Sequence, residues 1–310
     1  MAVNSSETDF ESSQGKVGAR FIIIQVLVVL FLWIDLLLII TFCMRAFFYT
    51  NMRYILFAVT LLSDSLFLLV SDILFILIGF NLNIQTRLCA MLYIISSQAN
   101  FVTIVTLTSM VLERYVAICL PLRHAELCST RNTLLLILII NGLSSLPCII
   151  FLSIFFASAT RNFYTQVKGC HWQIFVMHEW QNHLKSAINL FYFLVIGIII
   201  VVCYFKIMKV AKAASGESRK STWKGLRTII LHALQLLLCV IQLWCTFVES
   251  VVFKINISLF INVRYFNYVT FILAPRCLSP LIYGVRDETF LQAFKHYVLC
   301  GLCKKAMHLF

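Results

Sequence analysis

Long apolar stretches separated by short polar segments run through most of the 310-residue chain. A helix needs about 20 apolar residues to cross the ~30 Å hydrocarbon layer of a membrane, and unlike an open strand it satisfies its own backbone groups there. The pattern therefore predicts an all-α membrane protein, a bundle of seven transmembrane helices. The predicted spans are 21–44, 54–80, 88–119, 133–157, 187–208, 226–252 and 259–283.

Composition supports this interpretation. Hydrophobic residues make up 61% of the chain and charged residues 12%, and the mean hydropathy is +0.92, whereas soluble domains are about half apolar and a quarter charged. Residues 1–20 lack the basic region and short apolar core of a cleaved signal peptide. We expect an extracellular N-terminal tail at 1–20, the bundle at 21–283, and an amphipathic helix with a cytoplasmic tail at 284–310.

Basic residues predict the orientation of the bundle. With the N-terminus outside, the inner segments carry roughly twice as many Lys and Arg residues as the outer segments, as the positive-inside rule requires. A basic inner face also accounts for the net charge of +12 without a nucleic-acid partner. The expected location is the plasma membrane, crossed several times, with the N-terminus extracellular.

The outer segments carry further marks of an extracellular environment. Asn4 begins an Asn-Ser-Ser glycosylation sequence, whereas a second such sequence at Asn256 lies too near the membrane for us to expect its use. Cys89 opens the third span and Cys170 lies in the second outer loop. Both face the oxidising side, so they can form a disulfide.

An amphipathic stretch follows the seventh span, with Phe290, Phe294 and Tyr297 among its apolar residues. It predicts a short eighth helix that lies along the membrane surface. Cys300 and Cys303 come just after it, where palmitate would attach the helix to membrane lipid. Two unmodified cytosolic cysteines fit the sequence equally well.

The inner end of the third span carries Glu113, Arg114 and Tyr115. A charge near the bilayer is costly unless it is paired or reaches water. An ordinary interfacial anchor would explain Arg114 alone. It would not explain the longer run ERYVAIC, followed by PLRH at 121–124.

That run resembles the third-helix end of rhodopsin-like (class A) G-protein-coupled receptors, and of odorant receptors in particular. Five further matches lie in register: LLSD at 61–64, Cys89 at 25 residues before Arg114, Tyr204 near the inner end of the fifth span, part of a sixth-helix pattern at Lys224, Thr228 and His232, and LSPLIY at 278–283, which resembles the Asn-Pro-x-x-Tyr motif with Ser in place of Asn. The acid before Arg114 is Glu rather than Asp, the sixth span lacks the family's proline and the fourth its tryptophan. The chain is most similar to divergent fish odorant receptors.

The resemblance implies a receptor with no enzymatic activity and no cofactor. A small water-borne odorant would bind from outside, and a heterotrimeric G protein of the stimulatory or olfactory type would be activated inside. Glu113 would hold Arg114 at rest, and an outward swing of the sixth helix would release it. The switch residues that the resemblance implies are Glu113, Arg114, Tyr115, Tyr204, Ser279, Pro280 and Tyr283.

Three ionisable residues lie at similar depth within the spans. At 1.5 Å per helical residue, Asp35, Asp64 and Arg276 are roughly 13, 15 and 10 Å from the inner ends of their helices. Since charges inside membranes find partners, we expect an Asp35–Arg276–Asp64 cluster, in place of the sodium site that the resemblance would imply. The alternative is that Arg276 faces Asp64 only.

Helical periodicity selects side chains that face the interior of the outer half. Steps of 11, 14 and 18 residues return to nearly the same side of a helix, which puts Thr103, Asn100 and Ser96 on the side of Arg114. Hydrogen bonding between helices and ligand binding are the two roles open to such residues. The ligand-binding candidates are Ser96, Asn100, Asn189, Tyr192, Gln242, Thr246, Glu249, Tyr265 and Tyr268.

Other functions fit less well. The span 259–283 contains no lysine for a retinal Schiff base, which disfavours a light receptor. A seven-span transporter or channel would explain the intramembrane charges but not the Glu-Arg-Tyr group, and seven spans are hard to divide into an inverted repeat. A non-olfactory class A receptor for a small molecule stays open. His171, His178 and His183 lack strict ligand spacing, so we expect no metal site.

Overall fold

A computed structural model describes residues 3–80, 82–158, 166–170, 172–175, 178–213, 216–280 and 289–296. Almost all of this part of the chain is helical. In chain order the elements are α1 (Val3–Cys43), α2 (Ala46–Thr50), α3 (Met52–Gly79), β1 (Asn83–Gln85), α4 (Thr86–Cys119), α5 (Pro121–Leu127), α6 (Thr130–Ser158), β2 (Val167–Gly169), a 3₁₀ helix (Trp172–Phe175), α7 (Glu179–Ala213), α8 (Gly216–Ile255), α9 (Ile257–Asn267), a π-helical turn (Tyr268–Leu273) and α10 (Ala274–Pro280), and residues 289–296 form α11.

Five helices are long and apolar enough to cross a membrane by themselves. They are Gly18–Cys43 within α1, Met52–Gly79, Thr86–Cys119, Thr130–Ser158 and Glu179–Val210 within α7. The first four agree with the predicted spans to within three residues at each end, whereas the fifth begins eight residues before the predicted span 187–208. The sixth predicted span lies in α8, whose shorter apolar stretch is Ala233–Gln242. The seventh is divided between α9, the π-helical turn and α10.

The bundle is apolar outside and polar at several points inside. Large apolar side chains such as Leu138 and Ile198 are more than half exposed on its periphery, where a soluble protein would carry charge. Phe57, Leu107 and Leu236 belong to the buried cluster that joins the spans at the inner half. Such a periphery suits contact with lipid, because its apolar side chains face the membrane and enclose the polar interior.

A small two-stranded sheet lies at the end of the bundle where the third span begins. Strands β1 and β2 are antiparallel, with Asn83 opposite Gly169 and Gln85 opposite Val167. A disulfide joins Cys89 at the start of α4 to Cys170 just after β2, which confirms the predicted pairing. Together the sheet and the disulfide fix the segment between the fourth and fifth spans against the start of the third span.

The predicted eighth helix is present as α11. Its Phe290 is fully buried, with ring centres 5.2 Å from Phe48, 6.3 Å from Tyr54 and 5.4 Å from Phe57. This aromatic group ties α11 to α2 and to the inner end of the second span. Tyr297, Cys300 and Cys303 lie outside the described residues.

Candidate functional site

The inner end of the third span brings one carboxylate to two basic side chains. Glu113 is buried, and its Oε2 lies 3.5 Å from Nε of Arg114. Its Oε1 lies 3.4 Å from Nε2 of His124. Pro121 starts α5 at its first helical turn, where a missing N–H costs nothing. The turn into α5 therefore positions His124 beneath Glu113.

Sequence reasoning paired Glu113 with Arg114 but missed His124. The available signal was the PLRH run itself, which places His124 one helical turn after the proline. Glu113 also affects a nearby thiol. Burial, and to a smaller extent the negative charge of Glu113, raises the pKa of Cys128.

Arg114 is held loosely. Its Nε and Nη2 are buried and make no hydrogen bond within the described part of the chain, so the 3.5 Å approach to Glu113 is an ion pair without hydrogen-bond alignment. Tyr115 and Tyr204 both pack on a nearby apolar cluster that includes Val111 and Ile207. These contacts join the inner ends of the third and fifth spans beside Arg114.

The remaining switch candidates lie on the seventh span or beyond it. Pro280 is buried at the end of α10. The side chain of Ser279 and the whole of Tyr283 lie outside the described residues, as does the side chain of the glycosylation candidate Asn4. Their roles stay predictions.

At mid-depth, Arg276 from α10 enters the centre of the bundle with its side chain completely enclosed. Its Nη2 donates to Oδ1 of Asn100 at 2.6 Å on the third span. Its Nη1 donates to Oε1 of Gln242 at 2.7 Å on the sixth span. The guanidinium carbon lies 4.0 Å from the ring centre of Phe67 on the second span, a cation–π distance. One side chain thus contacts three other spans.

The π-helical turn gives Arg276 two more acceptors. The N–H of Ala274 bonds to the carbonyl of Val269, five residues earlier, which is the π-helical pattern. Nη1 of Arg276 lies 3.3 Å from each of the carbonyl oxygens of Phe271 and Ile272. The irregular turn and the buried cation therefore occur together.

Asp64 supplies the negative charge of this network. Its Oδ1 lies 3.8 Å from Nε of Arg276 and accepts a hydrogen bond from Oγ1 of Thr103 at 2.9 Å. Asp64 and Arg276 are each 1% exposed. A buried ion pair with hydrogen bonds on both members avoids the cost of an isolated charge.

Asp35 lies nearby but makes different contacts. Its Oδ2 accepts a hydrogen bond from Oγ of Ser65 at 3.2 Å, and its Oδ1 has no hydrogen-bond partner among the described residues. Within that part of the chain no ion pair joins Asp35 to Arg276. The geometry therefore corresponds to the alternative in which Arg276 faces Asp64, and a role for Asp35 in the cluster stays a prediction.

Several ligand-binding candidates are used in contacts between helices. Asn100 and Gln242 hold Arg276, as described above. Tyr192 donates from its hydroxyl to the carbonyl of Leu143 on the fourth span at 2.6 Å. Glu249 accepts a hydrogen bond from Nδ2 of Asn267 at 3.0 Å.

The other candidates differ in exposure. Ser96 and Asn189 are buried polar residues on the third and fifth spans. Tyr268 is buried with its ring centre 4.8 Å from Phe75, whereas Tyr265 lies under the Arg20 guanidinium at 5.3 Å. The side chain of Thr246 lies outside the described residues. These contacts leave ligand binding by each candidate as a prediction.

Asp72 also belongs to the outer half of the bundle. Its Oδ1 accepts a hydrogen bond from Nε2 of Gln25 at 2.7 Å, which links the first and second spans. Among the residues that the structure describes, no group of three or more His, Cys, Asp and Glu side chains could hold a metal ion. His171 is outside that part.

The family model for the rhodopsin family of 7-transmembrane receptors matches residues 34–283. The chain therefore belongs to the rhodopsin family of seven-transmembrane receptors. It is a multi-pass membrane protein and a G-protein-coupled signalling receptor, not an enzyme. The predicted seven-helix bundle is confirmed.

Three relatives give the similarity in detail. The chain is 40% identical to Odorant receptor 131-2 of Danio rerio over 91% of its own length and 87% of that protein. It is 24% identical to Galanin receptor 2a of Danio rerio, over 71% of the chain and 61% of that receptor. It is 26% identical to Galanin receptor type 1 of Rattus norvegicus, over 71% of the chain and 64% of that receptor.

Proposed function

We propose that the chain is an odorant receptor. It binds a small water-borne molecule between its helices from the extracellular side and activates a heterotrimeric G protein of the stimulatory, olfactory type. The observation that carries this proposal is the 40% identity to Odorant receptor 131-2, which extends over 91% of the chain. The matches to galanin receptors are weaker and cover less of the chain.

The geometry supports a receptor that works as a two-state bundle. Two of the polar ligand-binding candidates, Asn100 and Gln242, accept hydrogen bonds from Arg276 at mid-depth. The loosely held Arg114 lies at the inner end of the third span. A ligand shifts such a bundle only by the difference between its affinities for the two states. The polar network lies between the expected ligand site and the expected G-protein site.

The proposal includes the orientation and the membrane attachments of the receptor. The N-terminus with Asn4 lies outside the cell, and the basic segment between Lys206 and Arg227 flanks the G protein. Lipid surrounds the bundle, and palmitate on Cys300 or Cys303 attaches the segment after α11. An N-terminal epitope tag that is accessible only after permeabilisation would contradict this orientation.

The function is tested in cells that carry a cAMP reporter. The receptor is exposed to amino acids, amines, bile acids and small volatiles, and surface level is measured with an N-terminal tag. We expect a cAMP rise with at least one compound class, and we expect it to be lost in Arg114→Ala at unchanged surface level. Arg131→Ala removes an exposed inner-face arginine and serves as the matched control, with the response retained.

A second candidate is a non-olfactory receptor of the same family, which the galanin-receptor matches favour. A response to galanin-like peptides, with none to the small-molecule panel, would replace the odorant proposal by this one. The same cells also test a transporter or channel. That function is excluded if Arg114→Ala abolishes the cAMP response and if the wild type shows no ligand-dependent current or uptake.

A further inference from the structure

Gln242 is the point at which the sixth span is joined to the buried cation. Its Oε1 accepts a hydrogen bond from Nη1 of Arg276 at 2.7 Å. The Arg276 side chain is fully enclosed, so water cannot readily replace the amide oxygen as an acceptor. Glu249 of the sixth span also contacts the seventh, where it accepts a hydrogen bond from Asn267.

The remaining contacts of Arg276 with other helices are to the second and third spans. Nη2 is bonded to Asn100 on the third span, and the guanidinium lies against Phe67 and near Asp64 on the second. If the sixth span moves outward, these contacts keep Arg276 in place while Gln242 leaves with its own helix. The hydrogen bond between the two must then break.

The described arrangement is the resting one by two observations. Arg114 lies beside Glu113 rather than turned into the bundle. Leu236 and Cys239 of the sixth span are buried in one cluster with Leu107 of the third span, so the two helices are closed against each other at the inner half.

We propose that the hydrogen bond between Gln242 and Arg276 is a restraint that keeps the sixth span in its resting position, and that ligand binding acts by breaking it. The assignment of a resting and an active state rests on the proposed receptor function. A hydrogen bond to a charged group, lost without replacement, changes the ratio of two states by roughly tenfold to a hundredfold. The restraint therefore sets the basal activity of the receptor.

The amides also indicate the ligand chemistry that can release the restraint. Arg276 takes the oxygen atoms of Asn100 and Gln242, and in the described part of the chain their amide nitrogens make no hydrogen bond. An NH₂ group only donates. A ligand with an acceptor oxygen, such as a carboxylate or a carbonyl, can therefore accept a hydrogen bond from Nε2 of Gln242 and draw that side chain toward itself.

Two substitutions at one position give opposite expectations. Gln242→Leu removes the acceptor at similar size, so basal activity should rise about tenfold. Gln242→Glu gives Arg276 a charged acceptor, so basal activity should fall below that of the wild type. Gln98→Leu is the matched control, because Gln98 also donates across a helix interface, to Ser145 on the fourth span at 3.4 Å, without touching the sixth. Its basal activity should equal that of the wild type.

Two readouts are used on full-length receptors at matched surface level. The first is ligand-free recruitment of stimulatory, inhibitory and Gq-type α subunits. The second is the distance between spin labels on Arg123→Cys in α5, just after the third span, and Trp223→Cys in α8, just before the sixth span, with the accessible native cysteines replaced by serine. The label distance reports opening whether or not any G protein couples.

Opposite shifts of the label distance in Gln242→Leu and Gln242→Glu, with none in Gln98→Leu, support the restraint. Shifts in the same direction, no shift, or an equal shift in the control overturn it. If the distances shift as expected but recruitment occurs only with another α subunit, the restraint stands and stimulatory coupling fails. If no α subunit is recruited by any variant, the receptor function fails, and the label distances still decide the restraint.

Discussion

Two arginines of the bundle, the fully enclosed Arg276 and the partly exposed Arg114, are held in opposite ways. Arg276 has its two terminal nitrogens bonded to side chains of two other spans, and an aromatic ring lies 4.0 Å from its guanidinium carbon. Arg114 has one carboxylate at 3.5 Å and two nitrogens without hydrogen bonds among the described residues. The first is fixed from several directions, whereas the second is retained by charge alone.

The difference separates stability from signalling. A charge inside a membrane must be compensated at all times, so the contacts of Arg276 contribute to folding. A side chain that changes partners during a conformational change cannot be held so firmly, because every contact adds to the cost of moving it. We therefore expect substitutions at Arg276 to act mainly on the folded state, and those at Arg114 and Glu113 mainly on the balance between states.

The largest effect is expected for Arg276→Met. The substitution leaves Asp64 buried without its cation and Asn100 and Gln242 without their donor. Breaking a buried ion pair on one side costs about 3–5 kcal/mol, so surface expression should fall sharply and thermal unfolding in detergent should occur at lower temperature. Wild-type expression and wild-type signalling of this variant would refute the buried ion pair.

The next effect distinguishes Asp64 from Asp35. Asp64→Asn removes the charge opposite Arg276 and should destabilise the receptor by about 1.5–3 kcal/mol. Asp35→Asn keeps an acceptor for Ser65 and should change stability by less than about 1 kcal/mol. Thermal unfolding of both variants measures the difference. Equal losses would instead place Asp35 in the cluster with Arg276.

A double variant sharpens the same point. In Arg276→Met with Asp64→Asn, neither charge is left alone, so the combined loss of stability should be smaller than the sum of the single losses. Coupling of about 0.5–3 kcal/mol is typical of residues in contact. Additive losses would indicate that the 3.8 Å approach of the two side chains has no energetic role.

The smallest effect is expected for Glu113→Gln at the inner site. Loosely aligned ion pairs contribute about 0.2–1 kcal/mol, so the variant should express normally and show basal signalling raised by up to about fivefold. Ligand-free cAMP at equal surface level measures this change. A large loss of expression would mean that Glu113 and Arg114 are held as firmly as Arg276.

The sequence predicts the helices better than their side-chain partners. The third and fourth predicted spans, 88–119 and 133–157, differ from Thr86–Cys119 and Thr130–Ser158 by only a few residues at each end. Apolar runs of this length carry a strong signal because the bilayer fixes the length of a span. The disulfide was predictable for a related reason, since orientation put Cys89 and Cys170 on the same side.

The partners of polar residues depend on packing that a single helix does not encode. Periodicity placed Asn100 toward the interior, and it is buried there, but its bond to Arg276 depends on a long side chain from another span. Tyr192 was expected near the ligand, yet its hydroxyl reaches a carbonyl of the fourth span. Asp35 and Asp64 lie at similar depth, but among the described residues only the Asp64 carboxylate lies near the Arg276 guanidinium.

The π-helical turn at Tyr268–Leu273 has a consequence for how such a receptor can diversify. A turn of this kind holds one residue more than the α-helix on either side of it, and one helical residue corresponds to a rotation of about 100°. Deleting a single residue there would revolve the outer part of the seventh helix and present a new set of side chains to an incoming odorant. The inner part, which serves the G protein, would keep its orientation, so chemical preference could drift while the transducing end stayed intact.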